Sequence, residues 1–116
     1  MKSFSVDRRR FPRLPVSSSV QFRNVLKPDD SFIGSLVKDL SVGGVGLAAY
    51  TFIPKETRLV LLLSLPGLLR PIRTVGRVAW MQQRRLAETY NVGVQFIEVI
   101  PDDRERIAEY VEQGEE

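Results

Sequence analysis

Two short polar clusters hold the chemistry available to this chain. Arg8-Arg9-Arg10-Phe11-Pro12-Arg13 packs four arginines into six residues, and Asp39-Leu40-Ser41-Val42-Gly43-Gly44 follows farther along. Guanidinium forks bond phosphate oxygens bidentately, or the O6 and N7 edge of guanine. Each charge-assisted contact contributes roughly 1.5–3 kcal/mol, so three of them support micromolar binding after ordering costs. The second cluster supplies the complement. A carboxylate accepts from the N1 and N2 donors of guanine, a hydroxyl bonds base or phosphate, and glycines let backbone approach a ligand closely. Each cluster also has a plain structural reading. The arginines suit a solvated basic arm, and Asp39 with Ser41 suits a β-turn that satisfies its own amides. Gly43-Gly44-Val45-Gly46 is not a phosphate-binding P-loop, because no Gly-Lys-Ser/Thr follows.

The elements that must position these clusters read mostly as strands. Pro12 disfavours helix at Phe11, so residues 1–15 are expected to form a flexible arginine arm. Val16, Ser18, Val20 and Phe22 alternate with polar neighbours as a first strand, and Lys27-Pro28-Asp29-Asp30 is a turn. A second strand is expected from Phe32 to Asp39, a bend from Ser41 to Gly44, and a short third strand from Gly46 to Ala49. Arg58 to Leu65 places Leu59, Leu61, Leu63 and Leu65 on one face, ended by Pro66-Gly67. Ile72, Thr74, Gly76, Val78 and Trp80 alternate with Arg73, Val75, Arg77, Ala79 and Met81. Gln82 to Glu88 reads as a polar loop, and Tyr90, Val92, Val94 and Phe96 as one face of a last strand. Short strands at this spacing predict an all-β fold, a small antiparallel barrel or sandwich, over residues 16–100. Residues 101–116 change period: Asp102 and Glu105 have capping-box character, and Ile107, Tyr110 and Val111 predict a helix over about 103–112.

Composition narrows the function classes. The 116 residues suit one domain, with 43% apolar and 27% charged side chains. There is no cysteine and no histidine, which removes thiolate chemistry and the commonest general base and metal ligand. The sequence shows neither a secretory leader nor an apolar run near the ~20 residues of a membrane span, so a soluble, cytoplasmic protein without membrane insertion is expected. The net charge of +3 conceals an asymmetry: residues 1–40 carry +4, residues 41–97 carry +5, and residues 98–116 carry −6. An anionic ligand is drawn to the basic body.

Taken together, Arg9-Arg10-Phe11-Pro12-Arg13 and Asp39, Ser41 and Gly44, all ahead of a run of short strands, resemble the PilZ family of bacterial cyclic di-GMP receptors. The resemblance continues through Gly76-Arg77-Val78-Ala79-Trp80 and Gly93-Val94-Gln95-Phe96, covers about Asp7 to Gln113, and shows no departure at the motif positions. It implies a six-stranded antiparallel β-barrel with a C-terminal α-helix, no catalysis and no cofactor beyond the ligand. It also implies an arm that folds over cyclic di-GMP against the Asp39 to Gly44 surface. Arg9 and Arg13 would hold phosphate and guanine edges, Arg10 would add to the clasp, Asp39 and Ser41 would read guanine, and Gly43 or Gly44 would permit close approach. Arg8 extends the cluster and would help neutralise a second, stacked ligand, so two cyclic di-GMP molecules per chain are expected. Trp80 either borders the ligand and stacks on guanine or belongs to the core or barrel rim. Arg73 and Arg77 either lie beneath the ligand or are solvated. With no further domain in this sequence, output is expected to pass through an unidentified protein effector, and the resemblance implies motility, exopolysaccharide production or virulence as that output. The alternative is a barrel binding single-stranded nucleic acid, although the strands do not interleave aromatic and basic residues as a stacking platform would. A small phosphodiesterase lacks the histidines, cysteines or carboxylate cluster its metal site would need.

Overall fold

Alternating burial is what turns these segments into a barrel. The computed structural model describes residues 18–84 and 88–114; the expected arm, residues 1–15, lies outside them. The elements are β1 (Ser19–Asn24), β2 (Ile33–Ser41), β3 (Gly44–Ala49), β4 (Arg58–Ser64), β5 (Ile72–Gln83), β6 (Tyr90–Glu98) and α1 (Pro101–Gly114). All neighbouring strands pair antiparallel, in the order β1-β2-β3-β6-β5-β4, and β4 closes onto β1. Closure leaves only short one-sided stretches, such as the start of β2 and the end of β5. Val20 and Phe22, Val45 and Leu47, Leu59, Leu61 and Leu63, Ile72 and Val78, and Val92 and Val94 fill the interior. Each such burial contributes roughly 1.5–3 kcal/mol against exposure. Thr74 is the polar exception, its hydroxyl donating to the Glu98 carbonyl at 2.6 Å. The expected six-stranded barrel with a C-terminal helix is the observed fold.

Several boundaries differ from the sequence reading. β3 starts at Gly44 rather than Gly46, because Ser41 and Gly44 pair directly across the hairpin. β5 runs on to Gln83, where ladder pairs of Gln82 with Asn91 and Gln83 with Tyr90 hold polar residues in a strand. The helix starts at Pro101, where a missing N–H costs nothing, and the Arg104 amide donates back to the Ile100 carbonyl at 3.0 Å. Asp102 and Asp103 therefore occupy the first turn instead of a capping box, favourably placed for the helix dipole. Asp103 accepts from Arg106 at 2.9 Å.

The two barrel ends are closed differently. At the end where β1 starts, α1 buries Ile107 and packs Tyr110 and Val111 against the core, with Tyr110 hydroxyl and Ser18 Oγ 3.4 Å apart. At the other end the β3–β4 connection lays Ile53 over the core. Its Pro54–Thr57 turn is closed by the Thr57 amide on the Pro54 carbonyl (3.2 Å) and holds Glu56 at φ 74°.

Candidate functional site

Asp39 and Trp80 reach one surface because two strands each carry an extra residue. Along β2, Val37 pairs with Leu47 inside the barrel, and strict alternation would send Asp39 inward as well. A register shift between Val37 and Asp39 instead pairs Asp39 with Gly46 and turns it outward. Along β5, Val78 pairs with Val94 inside, and a second shift pairs Trp80 with Gly93. Such bulges set two residues opposite one and reverse the facing of everything beyond them. Trp80 consequently leaves the face it shares with Ile72, Thr74 and Val78 in the sequence pattern. It sits half-buried on the outer wall, not in the core.

Since Gly46 also pairs with Gly93, one outer row runs Asp39, Gly46, Gly93, Trp80 across β2, β3, β6 and β5. The glycines make this row possible. A Cβ on Gly46 would lie 2.8 Å from Asp39 Oδ1, and a Cβ on Gly93 would overlap the Trp80 indole. Carboxylate and indole thus lie down against bare backbone, from opposite sides of the two-glycine floor. Neither Gly46 nor Gly93 was singled out from the sequence as a site residue. Their signal was the pairing of a carboxylate strand and a tryptophan strand with glycine strands, which needs the register to be read.

The next outer row holds Ser41, Gly44, Gln95 and Arg77, again by successive pairing. Ser41 shapes the hairpin: the Gly43 amide donates to its Oγ (3.2 Å), and its hydroxyl donates to the Gly44 carbonyl (3.4 Å). The Gly43 carbonyl accepts from the Phe96 amide at 2.9 Å, which fastens the turn to β6. Gly43 itself is exposed, with open space where a side chain would stand. Arg77 is held rather than simply solvated. Its Nη1 donates to both Glu56 carboxylate oxygens at 3.0 and 3.1 Å, and Nη2 to the Gln95 side-chain oxygen. Arg73, four residues earlier on the same outward face of β5, is exposed. Asp29-Asp30 is a turn as expected, the Asp30 amide donating to the Lys27 carbonyl at 3.1 Å.

The structure therefore brings Asp39, Ser41, Gly44 and Trp80 onto one outer face, with Gly43 at its hairpin tip. Arg8, Arg9, Arg10 and Arg13 lie outside the described residues. The described chain begins beside this face: the Val37 amide, two residues before Asp39, donates to the Ser18 carbonyl at 3.0 Å. Among the described residues no group of acidic side chains is arranged to hold a metal ion, and no helix is long and apolar enough to cross a membrane.

A small closed barrel that displays polar groups over glycine backbone on its outside wall, with apolar side chains filling its interior, defines the class. The sequence matches the PilZ domain over residues 7–113, and the chain belongs to that family. The match carries the cyclic di-GMP receptor reading of the motifs and lends nothing to the nucleic-acid alternative. No curated protein matches in sequence. Similar solved structures include the inhibitor of motility MotI/DgrA from Bacillus subtilis, with TM-score 0.72, 20% identity, and coverage of 89% of this chain and 49% of that one. MrkH of K. pneumonia is similar at TM-score 0.73 and 21% identity over 90% of this chain and 47% of that one. The PilZ domain of YcgR from Escherichia coli, solved with c-di-GMP, is similar at TM-score 0.66 and 18% identity, covering 90% of this chain and 86% of that one. These are likenesses of fold, and this chain spans about half the length of MotI and MrkH.

Proposed function

We propose that this chain binds cyclic di-GMP on the outer face of β2, β3, β6 and β5 and passes the binding state to a protein effector. The observation that carries the proposal is the convergence of Asp39, Ser41, Gly44 and Trp80 on one glycine-floored surface, beside the point where the arginine-bearing segment joins the barrel. Arg13 lies five positions before Ser18, a reach of at most ~18 Å at 3.3–3.6 Å per residue. That is enough for Arg9, Arg10 and Arg13 to clasp phosphates and guanine edges above the face. Asp39 accepts from guanine N1 and N2. Ser41, already committed to its turn, fixes the close approach of Gly43 and Gly44 more than it reads the base. Trp80 offers the planar surface on which a guanine stacks. Arg8 supplies charge for a second, stacked ligand. The domain does no chemistry on the nucleotide, needs no cofactor and works in the cytoplasm. Ligand binding brings the arginine-bearing segment over the face, and the reshaped surface is what the effector reads. YcgR's PilZ domain, of the same fold, was solved with this ligand, and MotI is an inhibitor of motility, so motility or a related surface behaviour is the proposed output.

Calorimetric titration of cyclic di-GMP tests the clasp. Arg9→Ala, Arg13→Ala and Asp39→Ala should each weaken binding by roughly tenfold or more, about 1.4 kcal/mol per decade. Unchanged affinity in Arg13→Ala would overturn it. Saturation at one ligand per chain would remove the second molecule while leaving the clasp intact.

A further inference from the structure

The barrel end opposite α1 carries a second surface with different chemistry. A cleft of about 310 Å³ opens there between the β1–β2 connection and the β3–β4 connection, walled by Phe22, Ile33, Phe52, Ile53 and Leu59. Large apolar side chains of these two connections stand in solvent: Leu26 is 84% exposed, Tyr50 71%, Phe52 65%, and Ile33 at the start of β2 49%. The Phe52 ring is nonetheless fixed, edge-on against Tyr90 with centroids 6.1 Å apart. Large apolar side chains exposed together at one barrel mouth mark an interaction site more often than singly scattered ones do.

The polar groups of the cleft say what fits it. Arg23 lies with its guanidinium carbon 4.3 Å over the centre of the Phe32 ring, and its Nε is buried without a hydrogen-bond partner among the described residues. No described carboxylate is ion-paired with it. Stacking on an aromatic face orders a guanidinium in advance, and with Nε buried it is the Nη edge that meets a carboxylate. Lys27 adds a second positive charge to the lining, against the single acid Asp30. The groups that line the cleft are side chains, and recognition runs through them.

We propose that this cleft docks an acidic peptide segment of a partner protein, inserting one large apolar side chain between Phe52 and Ile33 and placing a neighbouring Asp or Glu carboxylate on Arg23. The site shares no residue with the nucleotide face and does not depend on the nucleotide reading. Two strands join the surfaces: β2 runs from Ile33 at the cleft to Asp39 and Ser41, and β3 from Gly44 to the Tyr50 connection.

Selection of a randomised peptide library against the intact chain tests this, followed by fluorescence polarisation of the enriched peptides on the wild type, Phe52→Ser and Arg23→Gln. The expected peptides carry Phe, Trp or Leu next to Asp or Glu, and lose roughly tenfold or more in affinity in each variant. Should Arg23→Gln fail to fold, Arg23→Lys keeps the charge but not the planar fork, and should lose affinity as well. Cyclic di-GMP titration of Phe52→Ser should match the wild type, which separates failure here from failure of the nucleotide reading. No enrichment, enrichment of basic peptides, or peptides indifferent to both substitutions would overturn the proposal. So would a chain dimer that Phe52→Ser disperses, since the occupant would then be a second copy.

Discussion

The outer wall across β2, β3, β6 and β5 and the cleft at the end away from α1 are both open surfaces of one small barrel, yet they are built by opposite means. On the wall, side chains have been removed. Gly44, Gly46 and Gly93 clear the backbone, and Asp39 and Trp80 lie flat in the space they leave. At the cleft, side chains have been added, with Phe52, Tyr50, Leu26 and Ile33 projecting from connections that the core does not need. The wall is suited to a flat, polar, highly hydrogen-bonding ligand that must come close to peptide groups. The cleft is suited to an apolar anchor with one carboxylate. The difference teaches that a closed barrel whose interior is given over to its core still has two kinds of address. One lies on the pleated wall, where register decides what faces out; the other lies at an open mouth, where loop composition decides it.

Substitution at Gly93 presses hardest on that contrast. Gly93→Val forces the Trp80 indole off the β6 backbone, and overpacking of this kind costs about 1–3 kcal/mol. Thermal unfolding should fall accordingly. The emission of Trp80, the sole tryptophan, should shift to the red, whereas Phe52→Ser should leave it in place. An unmoved spectrum in Gly93→Val would show that the wall is not laid out as described. Gly46→Val should act in the same direction through Asp39, weakening cyclic di-GMP binding by roughly tenfold, ~1.4 kcal/mol. Calorimetry on that variant beside Phe52→Ser sharpens the comparison, because the cleft substitution should change the affinity less than about twofold.

The smallest expected effect sits between the two surfaces. Glu56 holds Arg77 on the wall while itself sitting at φ 74° in the connection that frames the cleft, a conformation that favours glycine. Glu56→Gly relieves that backbone, worth about 0.4–1 kcal/mol with the sign of a relaxed turn set against the entropy a glycine adds. It also removes a partly exposed ion pair, worth about 0–1 kcal/mol. The net change in stability should stay under about 0.5 kcal/mol by chemical denaturation. A loss above 2 kcal/mol would mean that Arg77 is a structural tie and not a wall residue held in place.

Much of this architecture was legible in advance. Leu59, Leu61 and Leu63, or Val92 and Val94, announce their strands by alternation alone, and Ile107 with Tyr110 and Val111 announces a helix. The Asp39 to Gly44 segment could be recognised as a hairpin-borne motif, since Ser41 and the glycines are turn-forming whatever their neighbours. Less legible was the side of the sheet on which Trp80 stands. Period-two counting from Ile72 through Val78 sends it inward, and nothing local at Ala79 signals the shift. The cleft was missed for a related reason: Tyr50, Phe52 and Leu26 are ordinary apolar letters in sequence, and only the connection geometry leaves them uncovered.

By itself, then, the sequence determined the strand pattern, the order of the two polar clusters and the family they belong to, because these depend on residue type and on spacing within a segment. Tertiary structure alone decided which groups share a surface. The bulges near Lys38 and Ala79 are set by the pairing that closes six strands on themselves, and one inserted residue exchanges the inside of a strand for its outside. Asp39 and Trp80, 41 positions apart in the sequence, meet across two glycines only because the closing register places them there.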